Sequence, residues 1–358
     1  MDPKNDIRNQ LGLSQEMEFA RWILQMQQPP ETGSTAVGCD TRGFDCVVAV
    51  IRRIYAFMPK KFLEDESFAD AEKRNPILRY AWQMLDTPIP ATDEAKARQA
   101  AEKKEAIVGA LEHNVEDSKY FIDLCCSLIM VDTFWSRPEF HLFRSRLEKH
   151  EGDSVWRVIP WQPREIAQCS QIEMNCRENP GLSLQKAVEA EFGERKWGDR
   201  KAFLMCNRPA IVRVLYIDNP DQPTRSFNEL RTFEMPFTRL EGYSCIPDSH
   251  SRYALIAIAQ LGHSTGKGLD YVRLYAVDGR MATINTNRQA FINSKWSIAT
   301  ASTKRYMLFY GRDNNVQLEP DYPEIAPNGV ASNERQTFFT NTLNKYRPMQ
   351  GPRGGSAE

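Results

Sequence analysis

Histidine is scarce in this chain, with five in 358 residues, and the scarcity limits the acid–base chemistry open to it. The five are His113, His141, His150, His250 and His263. Paired cysteines are missing as well. The eight cysteines, Cys39, Cys46, Cys125, Cys126, Cys169, Cys176, Cys206 and Cys245, are spread along the whole length and form no C-x-x-C pair. That argues against a dense disulfide framework. Cys169 and Cys176 stand seven apart with no matching second pair, so zinc finds little support and no metal is expected. No apolar run approaches the roughly 18 residues that a membrane span requires. A net charge of −1 argues against a broad nucleic-acid-binding face and against a polybasic membrane anchor. There is no glycine-rich phosphate loop. Gly266-Lys267-Gly268 lacks the spacing of a nucleotide-binding motif, and no cofactor is expected. The stretch Met1-Asp2-Pro3-Lys4-Asn5-Asp6 is polar and acidic, unlike a secretory signal, so a cytoplasmic or nuclear protein is expected.

What is present reads as a globular chain. Hydrophobic residues make up 41% and charged residues 26%, enough apolar material for one large domain or two ordinary ones. Helical spacing runs from Gln15 to Gln27 and stops in the linker-like Gln27-Gln28-Pro29-Pro30-Glu31-Thr32-Gly33-Ser34. Further helices are expected from Cys46 onward, near Asp70–Asp86, over Asp93–Glu112 and over Val115–Val131. The Asp93–Glu112 helix contains Lys96, Arg98, Glu102, Lys103 and Lys104 and reads as a solvated face. After Pro138 the texture changes. Trp156–Trp161, Ala202–Cys206, Ala210–Ile217, Thr232–Phe237, Tyr253–Leu261, Asp270–Val277, Met281–Asn285 and Tyr306–Tyr310 read as strands, with one amphipathic helix over 182–192. Helices gathered ahead of a mostly antiparallel sheet give an α+β fold.

Cys46 is the residue whose setting looks most chemical. A glycine-containing loop, Val37-Gly38-Cys39-Asp40-Thr41-Arg42-Gly43-Phe44-Asp45, leads into it, and Val47, Val50, Ile51, Ile54 and Met58 follow at helical spacing. A thiol in the first turn of a helix gains from oriented N–H groups and the positive end of the macrodipole. The plain alternative is a small buried cysteine near a helix start.

Several segments together resemble the ubiquitin-specific protease family of cysteine deubiquitinases. Val37-Gly38, Gly43 and Cys46 fall where that family has its glycine framework and nucleophile. Phe203-Leu204-Met205-Cys206-Asn207-Arg208-Pro209-Ala210-Ile211-Val212-Arg213-Val214 is similar to its Leu-Pro strand, and Phe233-Glu234-Met235-Pro236-Phe237 to its phenylalanine-proline segment. Tyr253–Gly262 and Asp270–Tyr275 resemble the strand, loop and strand that carry the family histidine, and Tyr306-Met307-Leu308-Phe309-Tyr310 the terminal strand. The resemblance spans residues 35–312. It implies a papain-like α+β cysteine peptidase fold with a helical thumb over about 35–135, fingers over about 138–180 and an antiparallel β palm over about 182–312. Residues 1–34 would form an N-terminal helix and linker, 313–345 an extension packed on the domain, and 346–358 a disordered tail.

The departures from the pattern are chemical. Asp270 stands at the family's histidine, in Leu269-Asp270-Tyr271, and Thr41 stands at the oxyanion-stabilising asparagine. Cys46 keeps the nucleophile position, and Asn285 maps to the third member of the triad. A thiol peptidase needs an imidazole to take the thiol proton and return it to the leaving amine. A carboxylate about 4 Å from a thiolate instead costs roughly 4 kcal/mol at an effective dielectric near 20, which keeps the thiol protonated. Thr41 offers a hydroxyl with a shorter reach, and a lost oxyanion donor costs about 100- to 1000-fold in rate.

Resemblance and departures together imply a catalytically inactive protein that acts by binding ubiquitin, a ubiquitin-like protein or other protein subunits, with no nucleic-acid or membrane partner. An active thiol-dependent deubiquitinase with a rearranged triad would have to use Cys46 with His263, the one histidine in the loop before Asp270. A structural subunit that no longer binds ubiquitin is the remaining reading. Trp135, Phe140, Trp156 and Trp161 could face a partner or fill a local core.

Overall fold

The computed structural model describes residues 6–8, 24, 41–83, 94–111, 120–150, 152–153, 155–197, 199–222, 225–241, 244–262, 269–277, 279, 298 and 305–313. The expected strand at 281–285, the loop with His263 and Gly266-Lys267-Gly268, residue Asn285 and the C-terminal extension and tail lie outside those residues, Asp313 apart. Most of the expected N-terminal helix and linker lies outside them too.

Helix α1, Arg42–Phe57, is the element around which the helical part assembles. Its residues from Gly43 to Ala56 are all buried, polar ones included. Four elements follow: α2 (Lys60–Leu63), α3 (Glu66–Arg74), α4 (Pro76–Ala81) and α5 (Glu94–Leu111). The expected single helix over 70–86 is two helices, because Pro76 holds Asn75 in an extended conformation (φ −116°, ψ 105°) and then serves as the first residue of α4. The Asn75 side chain caps the new helix by accepting from the Ile77 N–H at 3.0 Å. Within 115–131 the described helices are α6 (Phe121–Cys125) and α7 (Leu128–Met130), the latter running into a π-helical turn over Val131–Trp135.

Beyond Pro138 the chain builds two sheets. The smaller has four antiparallel strands in the order β2-β1-β5-β4, where β1 is Phe143–His150, β2 Arg157–Ile159, β4 Gly193–Trp197 and β5 Arg200–Cys206. The larger has the order β3-β6-β10-β8-β7, with β9 pairing β8. Here β3 is Ile172–Asn175, β6 Ile211–Ile217, β7 Thr232–Glu241, β8 Ser244–Leu261, β9 Tyr271–Leu274 and β10 Arg305–Arg312. All its pairings are antiparallel except that of β3 with β6. Strand β3 joins the large sheet, whereas β4 and β5 complete the small one. Three short helices, α8 (Pro163–Cys169), α9 (Leu184–Glu189) and α10 (Phe227–Leu230), connect the strands. The chain is therefore α+β with largely antiparallel sheets.

The large sheet is covered on both faces. Met307 and Phe309 of β10 belong to the core shared with α1, whereas Tyr306, Leu308 and Tyr310 belong to a second core on the other side. That is the two-residue alternation of a strand buried on both faces. Gly311 marks where α1 meets this sheet, since a Cβ there would run into the Phe57 ring. Of the four aromatics named above, Trp135 and Phe140 are fully buried, while Trp156 and Trp161 are half-buried and pack against Phe203 and Phe143 respectively. No helix among the described residues is long and apolar enough to cross a membrane.

Candidate functional site

Thr41 precedes α1 and Cys46 is its fifth residue, one position past the first turn. The helix thus begins four residues earlier than the glycine loop suggests. Tertiary contacts account for this: the Phe44 ring packs edge-on against Tyr80 with centroids 5.2 Å apart, and Asp45 meets a buried lysine. Cys46 is 0% exposed and belongs to the helical core. The unbonded N–H groups and the strongest part of the helix field lie in the turn before it.

The buried lysine is Lys104. Its ammonium lies 2.6 Å from Asp45 Oδ1, with both side chains almost wholly covered. Lys104 lies in the run expected to form a solvated face; instead Ala101, Lys104, Ile107 and Leu111 form the buried stripe of α5. Asp45 Oδ2 accepts from the Thr41 hydroxyl at 3.2 Å. A hydroxyl has one proton to donate. The Thr41 group is therefore directed at Asp45, not held in reserve for a developing oxyanion.

Asp270 is 3% exposed and is used by the backbone. Its Oδ1 accepts the Gly262 N–H at 2.8 Å, and its Oδ2 accepts the Phe121 N–H, also at 2.8 Å. Phe121 is the first residue of α6, so the carboxylate caps that helix from 149 residues away while holding the end of β8. A negative charge at a helix N-terminus is favourable, and bonds of this charge-assisted kind are the stronger class. The neighbouring Tyr271 ring lies 5.4 Å from the Arg42 guanidinium carbon, and Arg53 Nε donates to the Tyr275 carbonyl at 2.8 Å. Helix α1 thus lies along the segment that follows Asp270, with Arg42 beside Tyr271 and Arg53 bonded to Tyr275.

Asn285 and His263 fall outside the described residues. Of the described histidines, His141 bonds the Ser136 carbonyl through Nε2 at 2.7 Å, His150 ends β1, and His250 lies in β8 opposite Pro236. Burial pulls the His141 pKa down. Among the described residues no group of three or more His, Cys, Asp or Glu could hold a metal ion.

A second thiol was not singled out by its sequence. Cys126, just past α6, is exposed, with its thiol 3.9 Å from Gln171 Oε1, and the neighbouring Cys125 thiol, with help from the Arg213 guanidinium, pulls its pKa down. Cys125 moves the opposite way, raised by its neighbour Cys126 and by burial. Adjacent cysteines at a helix end are the only sequence signal, and Arg213 comes from a distant strand.

No protein-family model matches the chain, and no curated protein matches it in sequence. Among solved structures it is similar to the SAGA Ubp8/Sgf11/Sus1/Sgf73 DUB module, at 11% identity over 86% of this chain and 70% of that one, with a TM-score of 0.34. It is similar also to the Saccharomyces cerevisiae PAN2 pseudoubiquitin-hydrolase, at 8% identity over 76% of this chain and 85% of that one, with a TM-score of 0.33.

Two outcomes follow from the geometry. Lys104→Met leaves Asp45 buried without its cation, and chemical unfolding should show a loss of about 3–5 kcal/mol, most of it recovered in the double variant Asp45→Leu/Lys104→Met. Native alkylation with iodoacetamide near neutral pH, read by mass spectrometry, should modify Cys126 ahead of the other described cysteines and Cys46 only after denaturation.

Proposed function

We propose that this chain is a divergent ubiquitin-specific-protease-like protein that lacks peptidase activity and works by binding protein partners in the cytoplasm or nucleus. The observation that carries the reading is the engagement of Asp270. At the position where the family places its general base stands a carboxylate with an amide donor on each oxygen, one from Gly262 and one from Phe121. Such a group serves the fold, and an anion is poorly suited to take a proton from a thiol and return it to an amine.

The surroundings support the same reading. Cys46 is fully buried, and Thr41 gives its hydroxyl to Asp45. With the base replaced, the oxyanion donor redirected and the thiol packed in the core, hydrolysis would need several rearrangements at once. Ubiquitin or a ubiquitin-like protein is the partner that the family resemblance suggests, and other subunits would dock on the same scaffold.

Calorimetric titration with mono-ubiquitin, beside a ubiquitin–fluorophore cleavage assay on the same preparation, tests the proposal. Saturable binding with a Kd below about 100 μM and no turnover is the expected result. Turnover that disappears in Cys46→Ala would overturn the inactive assignment. Neither binding nor turnover would remove ubiquitin as the partner and leave a structural subunit.

A further inference from the structure

The loop that joins β5 to β6, Asn207-Arg208-Pro209-Ala210, is held at every residue. The Asn207 N–H donates to the Leu142 carbonyl at 2.9 Å, and the Arg208 N–H to Cys206 Sγ at 3.3 Å. The Tyr253 hydroxyl donates to the Pro209 carbonyl at 2.6 Å, and the Arg312 N–H to the Ala210 carbonyl at 2.9 Å. Arg208 sits in this loop at φ 53°, the left-handed region that residues with a Cβ rarely adopt. Among the described residues it is the one non-glycine residue there. Strain of this kind persists where the surroundings over-determine it, and functional sites collect it.

Three guanidinium groups gather at this loop, each from a different part of the chain. Phe237 of β7 meets two of them: the Arg208 guanidinium carbon lies 3.5 Å from the ring centroid, and that of Arg144 in β1 lies 5.1 Å away. The third belongs to Arg312, the last residue of β10, whose Nη1 donates to the Arg208 carbonyl at 2.8 Å. The buried Cys206 thiol senses all three: burial pushes its pKa up to about 11, and Arg208, Arg144 and Arg312 pull against that rise. Their charge is only partly matched. Arg208 Nη2 donates to the Ser249 hydroxyl and lies 3.6 Å from Asp248 Oδ2, whereas Arg208 Nε, covered from solvent, has no hydrogen-bond partner. Arg144 and Arg312 are both exposed, and neither forms an ion pair among the described residues. Asp248 is thus the one carboxylate, among the described residues, within ion-pair distance of the three.

We propose that Arg144, Arg208 and Arg312 bind a phosphoryl group, as inorganic phosphate or on a phosphorylated protein side chain. The sign follows from the two guanidinium charges left over once Asp248 has met Arg208. The head group follows from their number. A phosphoryl group carries about −1.5 to −2 charges at neutral pH and three strong acceptor oxygens, which suits several guanidinium donors at once. A carboxylate has one charge and two oxygens, and a single guanidinium fork fills it. A ring contact uses the face of a guanidinium and leaves the N–H donors at its edge. Arg312 gives one of its five donors to a carbonyl and keeps the rest. The bonded loop sets Arg208 in place before the ligand arrives, which lowers the cost of ordering it.

Titration of the full chain with inorganic phosphate at constant ionic strength, followed by amide and arginine Nε–Hε NMR shifts, tests the assignment. Nα-acetyl-O-phosphoserine methylamide and acetate serve as parallel ligands. Phosphate should bind saturably and move the Arg208 signals. Arg144→Gln, at an exposed position, should weaken binding about 10-fold, and Arg312→Gln should do the same. Arg164→Gln, which removes an exposed arginine paired with Asp132, should leave binding unchanged. Tighter binding of the phosphoserine derivative identifies a phosphorylated side chain as the ligand, and tighter binding of phosphate the free ion. Shifts that never saturate, equal binding in Arg144→Gln and Arg312→Gln, an equal loss in Arg164→Gln, or acetate binding as tightly as phosphate would overturn the proposal.

Discussion

Helix α1 is buried on every side, and the rest of the structure is arranged to satisfy the polar groups it carries inward. Arg52 reaches the carbonyls of Leu24, Ala81 and Gln83, and burial pulls its pKa down to about 9, leaving it cationic at neutral pH. Arg53 bonds the Tyr275 carbonyl, and Asp45 meets Lys104. Each of these groups would be expensive to bury alone. Together they fasten Leu24, the end of α4, the residue just after β9 and helix α5 to a single helix. Cys46 is one member of that packed element, and its burial follows from the packing.

Asp270 plays the same part at the edge of this assembly. Its two oxygens join the end of β8 to the start of α6, and α6 packs on α1 through the shared core. Hydrogen bonds to charged groups contribute about 1.5–3 kcal/mol each. An imidazole in that place could not accept from both amides, because its neutral form has one acceptor nitrogen and its cation has none. The local backbone therefore calls for a carboxylate at this place, and the sequence carries one.

Much of the fold was legible from sequence, for reasons that differ by element. Strands β6, β8 and β10 are apolar over long stretches because both faces of their sheet are covered, and such runs with β-branched and aromatic residues are the clearest strand signal. Strand β1, Phe143-Arg144-Ser145-Arg146-Leu147-Glu148-Lys149-His150, gives little such signal, since much of its surface is charged. Strand β4, Gly193-Glu194-Arg195-Lys196-Trp197, is hidden in the same way. Lys104 was read with its charged neighbours, although the three-residue steps from Ala101 to Lys104 to Ile107 place it on the apolar face. Cys46, Thr41 and Asp270 could be singled out as candidates from spacing. What they bond to could not, because the decisive partners, Lys104 and the Phe121 amide, come from parts of the chain far away in sequence.

The central claim is that Asp270 is held for structure and not for hydrolysis. Replacing it with the histidine that a thiol peptidase requires tests this most directly, with guanidinium unfolding and ubiquitin–fluorophore cleavage measured on the same Asp270→His protein. The account predicts a lower unfolding midpoint, a loss of roughly 2–4 kcal/mol from two buried amides deprived of a carboxylate, and no cleavage. An unchanged midpoint together with Cys46-dependent cleavage would contradict it.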